Sequence, residues 1–397
     1  MTSVRTKWLN RTVLGIALAS LFSDWSHEIA TAVMPAFLAT FSAAAAWLGL
    51  IEGVSDGFSG AAKMASGFYT DKLQRRKPIA VLGYLVTALG TAAIGLATSA
   101  WQVLLARSSA WLGRGVRTPI RKALLAAAVT RETYGRAFGF ERMMDTIGAI
   151  AGPLSALALV TLFAHNYRNV LLVTLVPGLL AAGVIAFLVK EKERKPVSHI
   201  SFGERLRLMP RAYRKFLAAV GLFGAADFAP SLLILLATQK LAPQFGLARA
   251  ASIAVGLYVM RNIFYAGFAP IAGWLADRFP KKLTLAAGYG LAAVMAVLII
   301  LAPLNAWVLG LVFVLAGIFA SVEETLEDSF CAELVEEAHH GMAFGVLATV
   351  NGVGDFLSSV LVGFLWTSFG TGIAFGYCAL LFALGALLVL RVDFRAK

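Results

Sequence analysis

Ionisable side chains lie inside the longest apolar stretches of this sequence. The first stretch contains Asp24, His27 and Glu28, and the second contains Glu52 and Asp56. Others follow along the chain: Arg107, Arg114, Arg117, Asp145, Arg261, Glu323, Glu324, Glu327, Asn351 and Asp355. A charge at bilayer depth is costly, so it faces protein or water. The chemistry available to such groups is binding of a charged solute or transfer of protons.

Helical spacing arranges these residues into faces. Asp24 and Glu28 are four residues apart, as are Glu52 and Asp56, so each pair forms one stripe. Four arginines follow at steps of 7, 3 and 4 and fall within an arc of about 80°: Arg107, Arg114, Arg117 and Arg121. The pattern predicts an arginine ridge along one helix.

Two interpretations of these charges stay open. Ion pairs between helices would explain those toward the cytoplasmic ends, such as Arg121 and Glu141. Proton coupling requires a carboxyl group whose pKa burial has raised, so that it takes up a proton on one side of the membrane and releases it on the other. The candidates for coupling are Asp24, Glu28, Glu52, Asp56 and Asp145, and their protonation is expected to free Arg117.

A metal site is the weaker alternative for the first stretch. A histidine with two carboxylates suits a transition metal, but His27 is offset by about 60° from Asp24 on a helix. We therefore expect a histidine without a metal. No Ser/His/Asp or Cys/His constellation indicates an enzyme, so we expect no catalytic residues and no cofactor. The two cysteines, Cys331 and Cys378, lie in apolar stretches and imply neither a disulfide framework nor a metal site.

The composition is that of a membrane protein. Of 397 residues, 59% are hydrophobic and 14% are charged, and the mean hydropathy is +0.77. Soluble domains contain about 45–50% apolar and about 25% charged residues. The net charge of +13 is assigned to loops that orient helices, and no zinc-ligand spacing or basic surface interleaved with aromatic residues predicts nucleic-acid binding.

Stretches of about 20 apolar residues, the length that crosses a bilayer, recur twelve times. The first six predicted spans are residues 12–39, 44–69, 78–99, 101–128, 136–163 and 169–189. The second six are residues 216–240, 250–275, 282–303, 306–331, 342–366 and 371–391. We expect an N-terminal six-helix bundle (1–189), a basic linker (190–215) and a C-terminal six-helix bundle (216–397).

Basic residues are concentrated in one set of loops, at 71–77, 131–136 and 278–282, and at both termini. The loops at 98–101, 303–306 and 366–371 contain no lysine or arginine. The positive-inside rule then predicts a multi-pass inner-membrane protein with both termini and the linker in the cytoplasm.

The two halves repeat each other. The segments Gly67 to Asp71 and Gly273 to Asp277 are 206 residues apart. The same offset relates Gly135–Gly139 to Gly341–Gly345, and Arg75-Arg76 to Lys281-Lys282. It also relates Arg117 to Glu323 and Arg121 to Glu327, so positions that are basic in one half are acidic in the other. Two motifs that share one offset indicate an internal repeat.

The repeated Gly-x-x-x-Asp loop with its basic pair resembles the signature of the major facilitator superfamily. Two further motifs add to the resemblance: Arg107 with Gly113 and Gly115, and Gly148-Ala-Ile-Ala-Gly152-Pro153. The resemblance covers essentially the whole chain. It implies an all-α membrane protein with twelve transmembrane helices in two pseudo-symmetric six-helix bundles that expose a site to alternate sides. It implies gating by Gly67, Asp71, Arg75, Arg76, Gly273, Asp277 and Lys281.

The resulting hypothesis is a secondary active transporter of a small polar or charged solute, coupled to protons and working in the direction of export. Its partners would be the solute, protons and the lipid bilayer, and we expect a monomer. The alternatives within transport are a divalent-metal or metal-chelate exporter and an organic-anion importer. A membrane sensor is disfavoured because the midplane charges are present and no soluble signalling domain is seen.

Overall fold

The structure is a computed structural model that describes residues 8–41, 45–191 and 201–392. Over these residues it is all-α, as predicted, with no β-strand. The helices of the first half are α1 (Arg11–Ala39), α2 (Ala45–Thr70), α3 (Lys77–Ala93), α4 (Ala100–Ala127), α5 (Tyr134–Leu162), α6 (Tyr167–Val173), α7 (Leu175–Leu188) and α8 (Phe202–Leu208). Those of the second half are α9 (Arg211–Gly224), α10 (Pro230–Phe245), α11 (Leu247–Arg278), α12 (Lys281–Leu301), α13 (Ala306–Leu334), α14 (His340–Phe369) and α15 (Thr371–Leu390).

Eight segments of the described chain are long and apolar enough to cross a membrane, with mean hydropathies between 1.2 and 2.5. Large apolar side chains are exposed on them, for example Leu157 and Phe187, which is the pattern of helices that face lipid. The other four predicted spans coincide with α1, α2, α4 and the pair α9–α10. Charged residues noted above lower the hydropathy of α1, α2 and α4, whereas α9 and α10, with 14 and 16 residues, are each too short to cross a membrane alone.

Two predicted spans are interrupted helices. Span 169–189 consists of α6 and α7, which meet at Thr174, and the Ser26 hydroxyl donates to the Thr174 carbonyl at 2.8 Å. Span 216–240 consists of α9 and α10 with a break between them, where the Tyr377 hydroxyl donates to the Ala225 carbonyl at 2.8 Å. Because helix breaks leave carbonyls without intrahelical partners, hydroxyl groups satisfy them. The predicted linker contains the short helix α8 and the start of α9.

The chain forms two compact units. Unit one comprises the described residues of Met1–Arg205 together with Val335–Thr349, and unit two comprises Leu206–Leu334 together with those of Val350–Lys397. In unit one, α1 packs on α5 and α7, and α4 packs on α2 and α3. In unit two, α12 packs on α13 and α15, and α11 packs on α10 and α13. The bundle boundaries expected from the sequence stay a prediction.

Glycines allow the charged helices of unit one to pack closely. A Cβ on Gly115 of α4 would lie 2.5 Å from the Ser59 carbonyl oxygen of α2, and a Cβ on Gly148 of α5 would lie 2.3 Å from the Leu21 carbonyl oxygen of α1. Neither distance is possible for a real side chain. Small residues at these crossings bring the backbones together, as in other membrane helix pairs, and set the distance across which the charges of α1, α2, α4 and α5 meet.

Candidate functional site

Arg107 is the first member of the arginine ridge on α4, and its side chain is almost fully buried. Its Nη2 donates to Glu52 Oε1 on α2 at 3.1 Å and to Thr31 Oγ1 on α1 at 3.2 Å. Its Nη1 lies 3.2 Å from His27 Nδ1, and the guanidinium stacks over the Trp111 ring at 3.7 Å. One arginine therefore connects α1, α2 and α4.

These contacts determine the tautomer of His27. A guanidinium has only donors, so Nδ1 of His27 must accept and the hydrogen is on Nε2. That Nε2 lies 3.6 Å from Glu28 Oε1. Across the described part of the chain, no three His, Cys, Asp or Glu side chains are arranged to hold a metal ion.

Arg114 is the more accessible arginine of the ridge, and it lies near the buried Trp111. Arg114 Nη1 lies 3.1 Å from Asp24 Oδ1, and its side chain is 28% exposed. The Trp111 indole donates to Asp56 Oδ1 at 2.7 Å, and Asp56 is exposed. Arg114 is 14 residues into α4, about 21 Å along the helix and thus near mid-membrane. A charge exposed at that depth faces water rather than lipid.

Arg117 differs from the other arginines of the ridge. It is 1% exposed, donates to Ser23 Oγ at 2.5 Å and lies over the Tyr84 ring at 4.0 Å. Its Nε has no hydrogen-bond partner, and no carboxylate of the described residues lies within ion-pair distance. A hydroxyl and a ring face hold this cation in place of an anion.

Arg121, the last arginine of the ridge, lies in a buried network of ion pairs and hydrogen bonds. Its Nη1 lies 3.1 Å from Glu141 Oε1 and 3.4 Å from Asp145 Oδ1, both on α5. It also donates to Ser20 Oγ of α1 at 2.6 Å. Arg142 shares Asp145 at 3.3 Å. This group supports the ion-pair interpretation, since every charge is matched within three helices.

Unit two contains acids where unit one has arginines. Glu327 of α13 is 1% exposed and accepts from the Tyr289 hydroxyl at 2.5 Å and from Asn351 Nδ2 at 2.7 Å. Glu323, one turn earlier, is buried, and four other carboxylates lie close enough for their charges to act on it. Those four are Asp227, Glu324, Glu327 and Asp355.

Arg261 on α11 is the basic side chain whose charge acts on Asp227. Its Nη1 donates to Asn262 Oδ1 at 3.0 Å, and its guanidinium lies 5.6 Å from the Tyr265 ring and 6.0 Å from the Tyr258 ring. The predicted site residues of the second half are thus brought together within unit two.

The first copy of the repeated loop motif contacts the start of α14, and both belong to unit one. Asp71 accepts from the backbone N–H groups of Gly341 at 3.0 Å and Met342 at 2.9 Å and pairs with Arg76. A carboxylate is favourable there because it faces the positive end of a helix dipole. A Cβ on Gly67 would lie 2.4 Å from the Gly341 carbonyl oxygen, so only glycine fits.

The remaining motif residues are at helix ends. Arg75 is exposed, Gly273 and Asp277 lie in the last turns of α11, and Lys281 pairs with Glu333 at 2.5 Å. Glu191, which the sequence does not single out, accepts from the backbone N–H groups of Arg76 and Lys77. It therefore caps α3 from outside that helix.

The sequence did not predict three aromatic partners of the charges. Trp111 lies between Arg107 and Asp56, Tyr84 lies against Arg117, and Tyr289 donates to Glu327. The sequence could have indicated the contacts of Trp111, because this residue is four positions after Arg107 and three before Arg114 and so shares their helix face. Tyr84 and Tyr289 are on neighbouring helices, and no pattern in the sequence indicated their contacts with the charges.

Comparisons with known proteins agree with this architecture. The sequence matches the Major Facilitator Superfamily over residues 16–260 and 216–397. An uncharacterised MFS-type transporter of Methanocaldococcus jannaschii is 27% identical over 384 residues, 97% of this chain and 95% of that protein. Multidrug resistance protein MdtH of Photorhabdus laumondii is 33% identical over 111 residues, 27% of this chain and 28% of that protein.

Among solved structures, the E. coli fucose:proton symporter FucP has a TM-score of 0.76 at 17% identity, covering 97% of this chain and 99% of that chain. This likeness confirms the predicted fold. The family match extends over both halves of the sequence. The chain therefore belongs to the major facilitator superfamily, a family of membrane transporters and not of enzymes.

Proposed function

We propose that this chain is a secondary active transporter that exports a small polar or charged solute in exchange for protons. One observation carries the proposal: charged side chains near the middle of α1, α2 and α4 are partly exposed. Glu28 is 28% exposed, Glu52 is 36% exposed, and Asp56 is exposed. Because lipid would disfavour them there, they border water, and a transporter needs such a passage at bilayer depth.

Proton coupling is assigned to Asp24, Glu28, Glu52, Asp56 and Asp145. Two of these carboxylates hold an arginine of the ridge, as in the pairs Arg114–Asp24 and Arg107–Glu52. Protonation of Asp24 would release Arg114, since a neutral carboxyl group no longer attracts a guanidinium. The released arginine is then free to contact a solute or to change helix packing.

The direction of export is supported by the relative named as a multidrug resistance protein, which matches 27% of the chain. Gating is assigned to the repeated motif: Gly67, Asp71, Arg75 and Arg76 in the first copy, and Gly273, Asp277 and Lys281 in the second. Support comes from the contact of Asp71 with the first turn of α14, which a moving helix would have to break.

The orientation follows from the basic loops, which place both termini in the cytoplasm of a cell with an inner membrane. The protein works as a monomer in this account. Reporter fusions at either end test the orientation. A cytoplasmic fluorescent protein should be active at both termini, and a periplasmic enzyme reporter active at either terminus contradicts it.

The transport proposal is tested in energised everted membrane vesicles with acridine orange, which reports the pH gradient. The panel contains organic amines, organic acids, amino acids, siderophores and divalent metals. A solute that restores fluorescence only in vesicles with this protein supports proton-coupled export. If single neutralisation of each of the five coupling carboxylates leaves pH-driven transport unchanged, proton coupling is wrong. A response to metals alone would favour the metal-exporter alternative.

A further inference from the structure

Five carboxylates lie together in unit two, which we call the acid cluster: Asp227, Glu323, Glu324, Glu327 and Asp355. They come from the break between α9 and α10, from α13 and from α14. Residues of α14 link these elements, since the Ser358 hydroxyl donates to the Asp227 carbonyl at 2.6 Å and Asn351 Nδ2 donates to Glu327 at 2.7 Å. The charges of the other four carboxylates act on Glu323. Arg261 is the basic side chain that acts on Asp227. The cluster therefore brings five carboxylates together on three elements of unit two.

Glu323 is a buried acidic side chain. It is 7% exposed, and over residues 8–41, 45–191 and 201–392 its carboxylate has neither a hydrogen bond nor an ion pair. Asn351 adds a second acceptor, because its Nδ2 donates to Glu327 while its buried Oδ1 has no hydrogen-bond partner among the described residues. Buried acceptors without donors are costly, so a ligand that brings donors and positive charge would be stabilised.

The members of the acid cluster differ in exposure. Asp355 is exposed, and Asp227 and Glu324 are half-buried, whereas Glu323 and Glu327 lie deeper. Asp355 is 15 residues into α14, about 22 Å along that helix. Exposure of a carboxylate at this depth implies water beside Asp355.

The surroundings favour an organic cation over a metal ion. In the described residues of unit two, no three acidic, histidine or cysteine side chains are arranged as metal ligands. Tyr258 and Tyr265 present their rings to the Arg261 guanidinium at 6.0 and 5.6 Å. Aromatic rings attract a large, weakly hydrated cation, so these two rings show that this part of unit two accommodates a guanidinium.

We propose that the acid cluster binds the cationic group of an organic solute, such as an ammonium, guanidinium or phosphonium, with Glu323 as its counter-charge. The proposal rests on the proposed transport function and names the substrate class of that function. The organic-anion alternative predicts a solute of the opposite charge.

The test uses two probes of nearly equal size and shape and opposite charge, tetraphenylphosphonium and tetraphenylborate. Binding to the purified full-length protein in detergent is measured by thermal shift and by calorimetry, since a ligand of the native state raises its melting temperature. We expect stabilisation by tetraphenylphosphonium and none by tetraphenylborate. Equal stabilisation by both probes, or none by the cation, overturns the proposal.

Substitutions in the acid cluster test which residues bind tetraphenylphosphonium. Glu323→Gln should weaken tetraphenylphosphonium binding at least tenfold, and Asp355→Asn, a change at an exposed position, should weaken it severalfold. Glu336→Gln, an exposed acid outside the cluster, serves as the matched control and should bind like the wild type. Unchanged affinity in both cluster variants overturns the assignment. Cation binding without transport of any solute would reject the transport function instead, and transport of an anion without cation binding would reject only this inference.

Discussion

Asn351 Nδ2 donates a hydrogen bond to Glu327 Oε2 at 2.7 Å in unit two. The residues 206 positions earlier, Asp145 and Arg121, form an ion pair of 3.4 Å in unit one. The repeat has kept the contact between corresponding helices and has changed its charge. The pair in unit one is an arginine with a carboxylate, whereas the pair in unit two is a carboxylate with a neutral amide. The two units therefore differ in charge at equivalent positions.

The first prediction concerns the balanced network of unit one. Glu141→Gln leaves Arg121 buried with less compensating charge, and loss of one partner of a buried ion pair costs about 3 kcal/mol or more. We expect a lower free energy of unfolding and a lower melting temperature in detergent. Glu204→Gln, at an exposed position of α8, should change stability by less than about 0.5 kcal/mol. A Glu141→Gln variant as stable as that control would contradict the assignment.

A glutamate-to-glutamine substitution in unit two should have the opposite effect on stability. Glu323→Gln removes one of several mutually repelling carboxylates and breaks no ion pair of the described residues. We expect the free energy of unfolding without ligand to rise by an amount on the order of 1 kcal/mol. Thermal unfolding of both variants side by side measures the contrast. A clear loss of stability in Glu323→Gln would mean that this carboxylate is compensated.

The third prediction follows from the tautomer of His27. In His27→Asn the amide oxygen takes the place of Nδ1 and can still accept from Arg107, whereas in His27→Gln it takes the place of Nε2. We expect His27→Asn to be more stable than His27→Gln by about 1.5–3 kcal/mol, the value of one hydrogen bond to a charged group. The reverse order in thermal unfolding would show that Nε2 makes the important contact.

Glycine packing at the α2–α14 crossing gives the fourth prediction. Gly67→Ala places a methyl group against the Gly341 carbonyl and the Gly345 Cα, and such overpacking costs about 1–3 kcal/mol. Gly60→Ala is the control on the same helix, since a Cβ there has no atom within 4 Å. We expect lower stability and slower transport only in Gly67→Ala. Equal behaviour of the two variants would contradict the close approach.

Much of the fold could be predicted from the sequence. The predicted spans 101–128 and 371–391 correspond to Ala100–Ala127 and Thr371–Leu390, because the length of an apolar run determines how long a membrane helix must be. The breaks at Thr174 and between α9 and α10 were not predicted. A hydropathy average over 20 residues is insensitive to one or a few residues that leave the helix.

The candidate site could be predicted in its members but not in its pairings. The arginine ridge of α4 follows from 3.6-residue periodicity alone. Whether Arg117 meets a carboxylate or a hydroxyl depends on how α1 and α4 cross and rotate, and that depends on contacts such as Gly148 against Leu21. Periodicity describes one helix at a time, so the Ser23 contact and the Trp111 ring beneath Arg107 required the folded structure.

The most direct test of the account is the reactivity of Asp56→Cys in a background where Cys331 and Cys378 are replaced by alanine. Both native cysteines are fully buried, and Asp56 lies about 16 Å into α2. We predict rapid labelling of Asp56→Cys by a membrane-impermeant methanethiosulfonate in intact vesicles, and none of Leu89→Cys, an apolar exposed position at similar depth on α3. If Asp56→Cys is as unreactive as Leu89→Cys from both sides of the membrane, these charges do not border water and the account is wrong.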